Sequence, residues 1–226
     1  MRQQFQQDLH SISDQLVEMT RLASSAMVRA TTALLDADVH LAESVIESDK
    51  AIDAARETLD TLAVDLLARQ APVASDLRMV VTAMRVSADL ERMGDLARHV
   101  AKVARLRYPD SAVPPECRAT IQEMGHVAES LVTKVGAIIA DQDLEAARQL
   151  EADDDVMDEL HRELYGQLLD GKWQHGTEAA VDLTLLGRYY ERYGDHAVSV
   201  ALRVIYLVTG EYESLDRARE HDEREE

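Results

Sequence analysis

Cysteine, aromatic residues, proline and positive charge are all scarce in this 226-residue chain. One cysteine, Cys117, rules out an intramolecular disulfide framework and fits a reducing compartment. With one Phe and one Trp in a chain that is 46% hydrophobic, the core must be built mainly from Ala, Leu, Val, Met and Ile. The 24 basic residues face 43 acidic ones, a formal net charge of −19. That balance excludes sequence-independent nucleic-acid binding, which needs Lys and Arg to displace counterions from phosphates. No apolar run approaches the roughly 18–20 residues that span a bilayer. Residues 1–8 lack the apolar stretch of a secretory signal. A soluble, cytoplasmic, acidic protein is expected.

The few breaks present are informative by position. Pro109, Pro114 and Pro115 cluster between Tyr108 and Glu116, and Pro72 stands alone; proline removes a donor and restricts its neighbour, so helices should stop there. Elsewhere the pattern is helical. Leu9, Ile12, Leu16, Met19, Ala23, Ala26, Ala30 and Ala33 alternate spacings of three and four along one helix face. No run of alternating β-branched residues marks a strand. Six helices are predicted, over about residues 4–37, 39–69, 75–107, 116–140, 143–170 and 177–209. The charged stretch from 211 to 226 is expected to be a solvated tail.

The six helices are a duplication. Glu18-Met19 recurs as Glu123-Met124, Asp36 and Asp38 as Asp141 and Asp143, and Asp49/Asp53 as Asp154/Asp158, all at an offset of 105 residues. Glu91-Arg-Met-Gly-Asp95 recurs as Glu191-Arg-Tyr-Gly-Asp195 at an offset of 100. The difference falls between the second and third helix of each unit, where loop length is free to change. The expected organisation is a three-helix repeat at 1–108, a linker at 109–115, a second repeat at 116–210 and a tail at 211–226.

The duplicated acids carry the chemistry. Glu91 and Asp95 are one helical turn apart, where like charges oppose the helix by about 0.2–0.5 kcal/mol. Gly94 and Gly194 inside helices cost about 1 kcal/mol each relative to alanine. A penalty repeated in equivalent places asks for a reason. Counting outward from the turn near Pro72, Asp49/Asp53 and Glu91/Asp95 fall level across an antiparallel hairpin, and the same count around Gln174 levels Asp154/Asp158 with Glu191/Asp195. Each half should therefore gather four carboxylates in a surface groove, a donor set suited to magnesium, manganese, iron or calcium. The competing reading is that each pair is solvated or bridged to Arg92, Arg98, Arg188 or Arg192.

Asp76-Leu-Arg78, Asp89-Leu-Glu-Arg-Met-Gly-Asp95 and Tyr190-Glu-Arg-Tyr-Gly-Asp-His-Ala197 together resemble the PhoU family of phosphate-signalling regulators, its actinobacterial members in particular. The resemblance runs over about residues 5–210. It implies an all-α fold of two tandem antiparallel three-helix bundles related by pseudo-twofold symmetry. It also implies metal clusters of iron, zinc, manganese or magnesium on Asp49, Asp53, Glu91 and Asp95 and on Asp154, Asp158, Glu191 and Asp195. The implied function is repression of the phosphate-starvation response and of phosphate uptake, without catalysis. The implied partners are a phosphate importer ATPase subunit and a sensor histidine kinase, with the protein a homodimer that meets the membrane only through them. Where the family often continues with Asn after the second acid, this chain has His99 and Ser199.

Arg78, Arg85 and Arg92 recur at intervals of seven, a basic stripe that could meet a partner's acidic face. Trp173, in the predicted loop before the last helix, could anchor a partner or simply pack there. The alternative function is a carboxylate-bridged metal enzyme. Such bundles need Glu-x-x-His on two helices, and Glu123-Met-Gly-His126 has no counterpart at Glu18 and Arg21.

Overall fold

The computed structural model describes residues 2–171 and 173–213, with only the backbone for 2–6. Its helices are α1 (Arg2–Asp36), α2 (Val39–Gln70), α3 (Ala74–Arg107), α4 (Arg118–Asp141), α5 (Leu144–Leu169) and α6 (Gly176–Thr209), with one 3-10 turn at Pro115–Cys117 before α4. No strand occurs among the described residues. The predicted tail lies outside them from residue 214 onward. The last helix stops earlier, at Gly210, whose φ of 81° is the left-handed cap that glycine adopts without strain.

Local chemistry sets the turns. Asp38 caps α2 by accepting from the Leu41 amide, and Asp143 caps α5 by accepting from Glu145 and Ala146. These are the acids that the repeat places at the same point in each half. Helices α1, α2 and α3 pack together, as do α4, α5 and α6. The two bundles then join along α1 against α4 and α3 against α6, so the four central helices face neighbours on both sides. This explains why small residues are common there. A Cβ on Gly125 of α4 would stand 2.6 Å from the Thr31 methyl of α1, and the fully buried Tyr190 hydroxyl meets Thr31 at 2.7 Å. The outer helices α2 and α5 pack on one side only, against the pair inside them.

Candidate metal centre

The outer helices bring the acidic pairs to the inner ones. In the first half Asp49 sits in the α2 stripe of Ala42, Val45 and Ile52 and is 5% exposed. It faces Gly94 on α3, where a Cβ would lie 2.6 Å from Ile52 Cδ1 and 3.3 Å from Asp49 Oδ1. The glycine is what lets α2 approach, and it accounts for the helix-interior cost noted above. Because the helices close in, Glu91 and Asp95 are half-buried rather than lining the expected open groove. Asp53 completes the group: it, Asp95 and Glu91 all act on Asp49, whose pKa is raised by burial first, opposed by Arg98, and raised further by those three neighbours.

Arginines neutralise this first cluster. Arg98, one turn beyond Asp95, donates to Asp49 Oδ2 at 2.5 Å and also to Asp95 Oδ1, so one guanidinium ties α2 to α3. Arg92 donates to Asp95 at 2.8 Å and approaches Glu91. Arg56 of α2 reaches Glu91 at 3.2 Å.

The second cluster has the same acids and little of this compensation. Asp154 of α5 packs against Gly194 of α6, between Glu191 and Asp195, with Asp158 beside it. Burial first, then Asp158, Asp195, Asp155 and Glu191, push the Asp154 carboxyl up to about 7. Arg188 pairs with Glu191. At the equivalents of Arg56 and Arg98 stand His161 and Val198. Three buried atoms here lack a hydrogen-bond partner: Asp154 Oδ1, Glu191 Oε2 and His161 Nε2. The His161 ring lies against Gly187 and beside Tyr165, and its pKa is lowered, by burial first and then by Arg188. Its imidazole stands near Asp158 and Asp195. Asp158-Glu-Leu-His161 is only a partial match to the Glu-x-x-His spacing, so the sequence pattern alone does not single this histidine out.

As they stand, no three His, Cys, Asp or Glu side chains among the described residues converge closely enough to hold a metal ion. The donor chemistry of the two clusters nevertheless differs. Both clusters hold a glutamate oxygen that is buried without a hydrogen-bond partner, Glu91 Oε2 and Glu191 Oε2, but the aspartates differ. Asp49 and Asp95 are turned to guanidiniums, so the first cluster does not fit a cation, whereas Asp154 keeps an orphaned oxygen that suits one.

The remaining sequence candidates separate clearly. Arg92 belongs to the first cluster, while Arg78 and Arg85 lie at the start of α3 by the end of α6. There Arg78 donates to the Leu207 carbonyl at 2.9 Å and Arg85 to the Tyr212 hydroxyl at 3.0 Å. They line a groove of about 520 Å³ with Tyr206 and Tyr212, whose rings stack at 4.0 Å. The pseudo-equivalent corner reverses the charge: Glu178 and Asp182 at the start of α6 are filled by Arg107 from the end of α3. Glu123 and His126 are exposed and pair with one another on α4. Trp173 donates to the Gly176 carbonyl at 2.9 Å and packs over the α5–α6 turn. His99 stacks against Tyr189 at 5.2 Å between the bundles. Cys117 is buried, with its thiol pushed up to about 11 by that burial, which makes it unreactive.

Two tandem three-helix repeats, each with a four-carboxylate cluster joining its second and third helices, define a class of duplicated helical-bundle proteins. Sequence and fold comparisons narrow the class. The PhoU domain family matches twice, over residues 16–104 and 121–204, and the chain belongs to the PhoU family. It is 48% identical to the Mycobacterium tuberculosis protein named phosphate-specific transport system accessory protein PhoU homolog 2, over 94% of this chain and all of that one. It is also 48% identical to PhoU homolog 1 of Mycobacterium leprae, over 94% of this chain and 96% of that one. The crystal structure of the phosphate transport system regulatory protein PhoU from Streptococcus pneumoniae superposes with a TM-score of 0.85 at 25% identity, covering 93% of this chain and all of the other.

Proposed function

We propose that this protein is a negative regulator of phosphate uptake and of the phosphate-starvation response, acting as a non-catalytic adaptor between a phosphate importer ATPase subunit and a sensor histidine kinase. The observation that carries the reading is the double family match, one PhoU domain on each repeat, together with relatives named accessory proteins of phosphate-specific transport. A cation belongs to the second repeat in this reading. Asp154, Asp158, Glu191 and Asp195 would hold it, and it would supply the positive charge that their buried oxygens lack, tying α5 to α6. Iron, zinc or manganese fit a set with an imidazole at hand better than magnesium does.

The corner at Arg78 and Arg85 supports a partner-binding role. Neither arginine has a carboxylate partner among the described residues, and Leu77 and Tyr212, both exposed, line the groove with them. Arginine and tyrosine at an apolar rim are the residue types that dominate interface energetics, and acidic side chains of a partner would complete the corner as Arg107 completes its counterpart.

The test is genetic and biochemical together. Deleting the gene, with any paralogue, should derepress phosphate-starvation genes in phosphate-replete cells, and the purified protein should co-purify with the importer ATPase and the kinase. Normal repression in the deletion strain would contradict the reading. The Arg78→Glu/Arg85→Glu variant should stay folded and lose at least one partner.

A further inference from the structure

The two clusters differ most at two positions, and the side chains there serve as counter-ions in one half only. We infer that Arg98, backed by Arg56 and Arg92, is a built-in cation that closes the first acidic cluster against metal, so that any response of this protein to metal is confined to the second repeat. This rests on the cation reading of the second repeat only for where the response lies; the closure of the first cluster stands on its own geometry.

Arg98 spans the same two helices that a metal on these carboxylates would join. Its guanidinium donates to Asp49 on α2 and to Asp95 on α3, and its side chain is 29% exposed, so it is held within the helix pair rather than lying on the surface. A guanidinium stays protonated across the accessible pH range and presents a planar fork matched to carboxylate oxygens. Arg92 donates to the second oxygen of Asp95, and Arg56 and Arg92 stand within ion-pair distance of Glu91, whose buried Oε2 accepts no hydrogen bond. A cation entering here would have to expel Arg98, whose Nε is already buried without a partner, and leave a second charge to be resolvated. In the second repeat the position of Arg98 is held by Val198, 6% exposed, which can neither donate nor neutralise. The position of Arg56 is held by His161, whose Nε2 has no partner. Asp49 and Asp95 are thus held by guanidiniums from the chain, whereas in the second half Arg188 reaches Glu191 and Asp154 keeps a buried oxygen without a partner.

The test uses full-length protein stripped of metal, reloaded with Zn²⁺ or Mn²⁺, desalted and analysed for bound metal. Four forms are compared: wild type, Asp49→Asn/Asp95→Asn, Asp154→Asn/Asp195→Asn and Arg98→Val, the last copying Val198. Wild-type metal should be unchanged in the first-repeat variant and lost in the second-repeat one. Arg98→Val should gain a further site, at least tenfold tighter than any first-repeat binding in wild type and abolished when Asp49→Asn/Asp95→Asn is added. Amide exchange gives a local readout: a chelator should speed exchange in α5 and α6 of the wild type, and in α2 and α3 only once Arg98 is replaced. If Arg98→Val fails to fold, Arg98→Gln removes the charge while keeping a donor. Metal loss from wild type on Asp49→Asn/Asp95→Asn, or no gain on removing Arg98, would overturn the inference. Wild type without metal beside an Arg98 variant that binds it through Asp49 and Asp95 would uphold the inference and sink the cation reading of the second repeat.

Discussion

The two acidic clusters share their carboxylates, their glycine and their place between an outer and an inner helix, yet their electrostatics diverge. The first pairs three of its four carboxylates, Asp49, Glu91 and Asp95, with three arginines from its own helices. In the second, Glu191 with Arg188 is the one arginine pair among the described residues, and Asp154 is held up to about 7. The comparison teaches that a duplicated motif and a duplicated site are different things. Acids at repeat positions show where a site can be; the residues one turn away on each helix decide whether it is already filled.

The comparison can be broken at its strongest point first. Replacing Arg98 with alanine leaves Asp49 buried beside other carboxylates. Removing one member of a buried ion pair costs about 3–5 kcal/mol, so urea unfolding should show a loss near the low end of that range, Arg98 being partly solvated. No such loss is expected for Val198→Thr, which touches no carboxylate pair. A loss below about 1 kcal/mol for Arg98→Ala would mean that the arginine does not hold the cluster.

The next test reverses the sign. With its folded-state pKa raised, Asp154 binds a proton more readily in the native than in the unfolded protein between about pH 4 and 7. Its contribution to stability is therefore fully present at the acid end and lost as pH rises to about 7. Asp154→Asn should stabilise the metal-free protein at pH 8, by on the order of 2 kcal/mol once partial solvent screening is allowed for, and flatten its pH–stability curve. Destabilisation at pH 8 would show that Asp154 is already satisfied.

The glycines sharpen the contrast more gently. Gly94→Ala presses on the flexible end of Ile52, whereas Gly194→Ala presses on the Asp154 carboxylate itself. Overpacking costs about 1–3 kcal/mol, with the larger loss expected at Gly194 in thermal unfolding. The smallest stability effect belongs to Arg78→Glu/Arg85→Glu, about 1 kcal/mol by the same measurement, since the change removes two hydrogen bonds at a surface groove without disturbing the core.

Much of this was legible beforehand. Helix spacing, prolines and the two offsets gave six helices and two repeats, because a periodic apolar face and a missing amide donor are local facts. Counting from the turns also brought each pair of acids level with the right partner, because antiparallel helices advance at the same rise. The counter-ions were harder to read. Arg98 lies three residues from Asp95 and so shares its face, but its reach to Asp49 depends on how closely α2 approaches at Gly94. Arg92 reads as part of a stripe with Arg78 and Arg85, yet Asp95 lies within one turn of it and captures it. The half-burial of Glu91 and Asp95 has the same origin, a close helix approach that no single helix pattern contains.

Metal content per chain tests the central claim most directly, measured on the two double variants side by side. Asp154→Asn/Asp195→Asn should be empty, and Asp49→Asn/Asp95→Asn should carry the full wild-type complement. Equal losses from the two variants would contradict the claim that the halves are inequivalent.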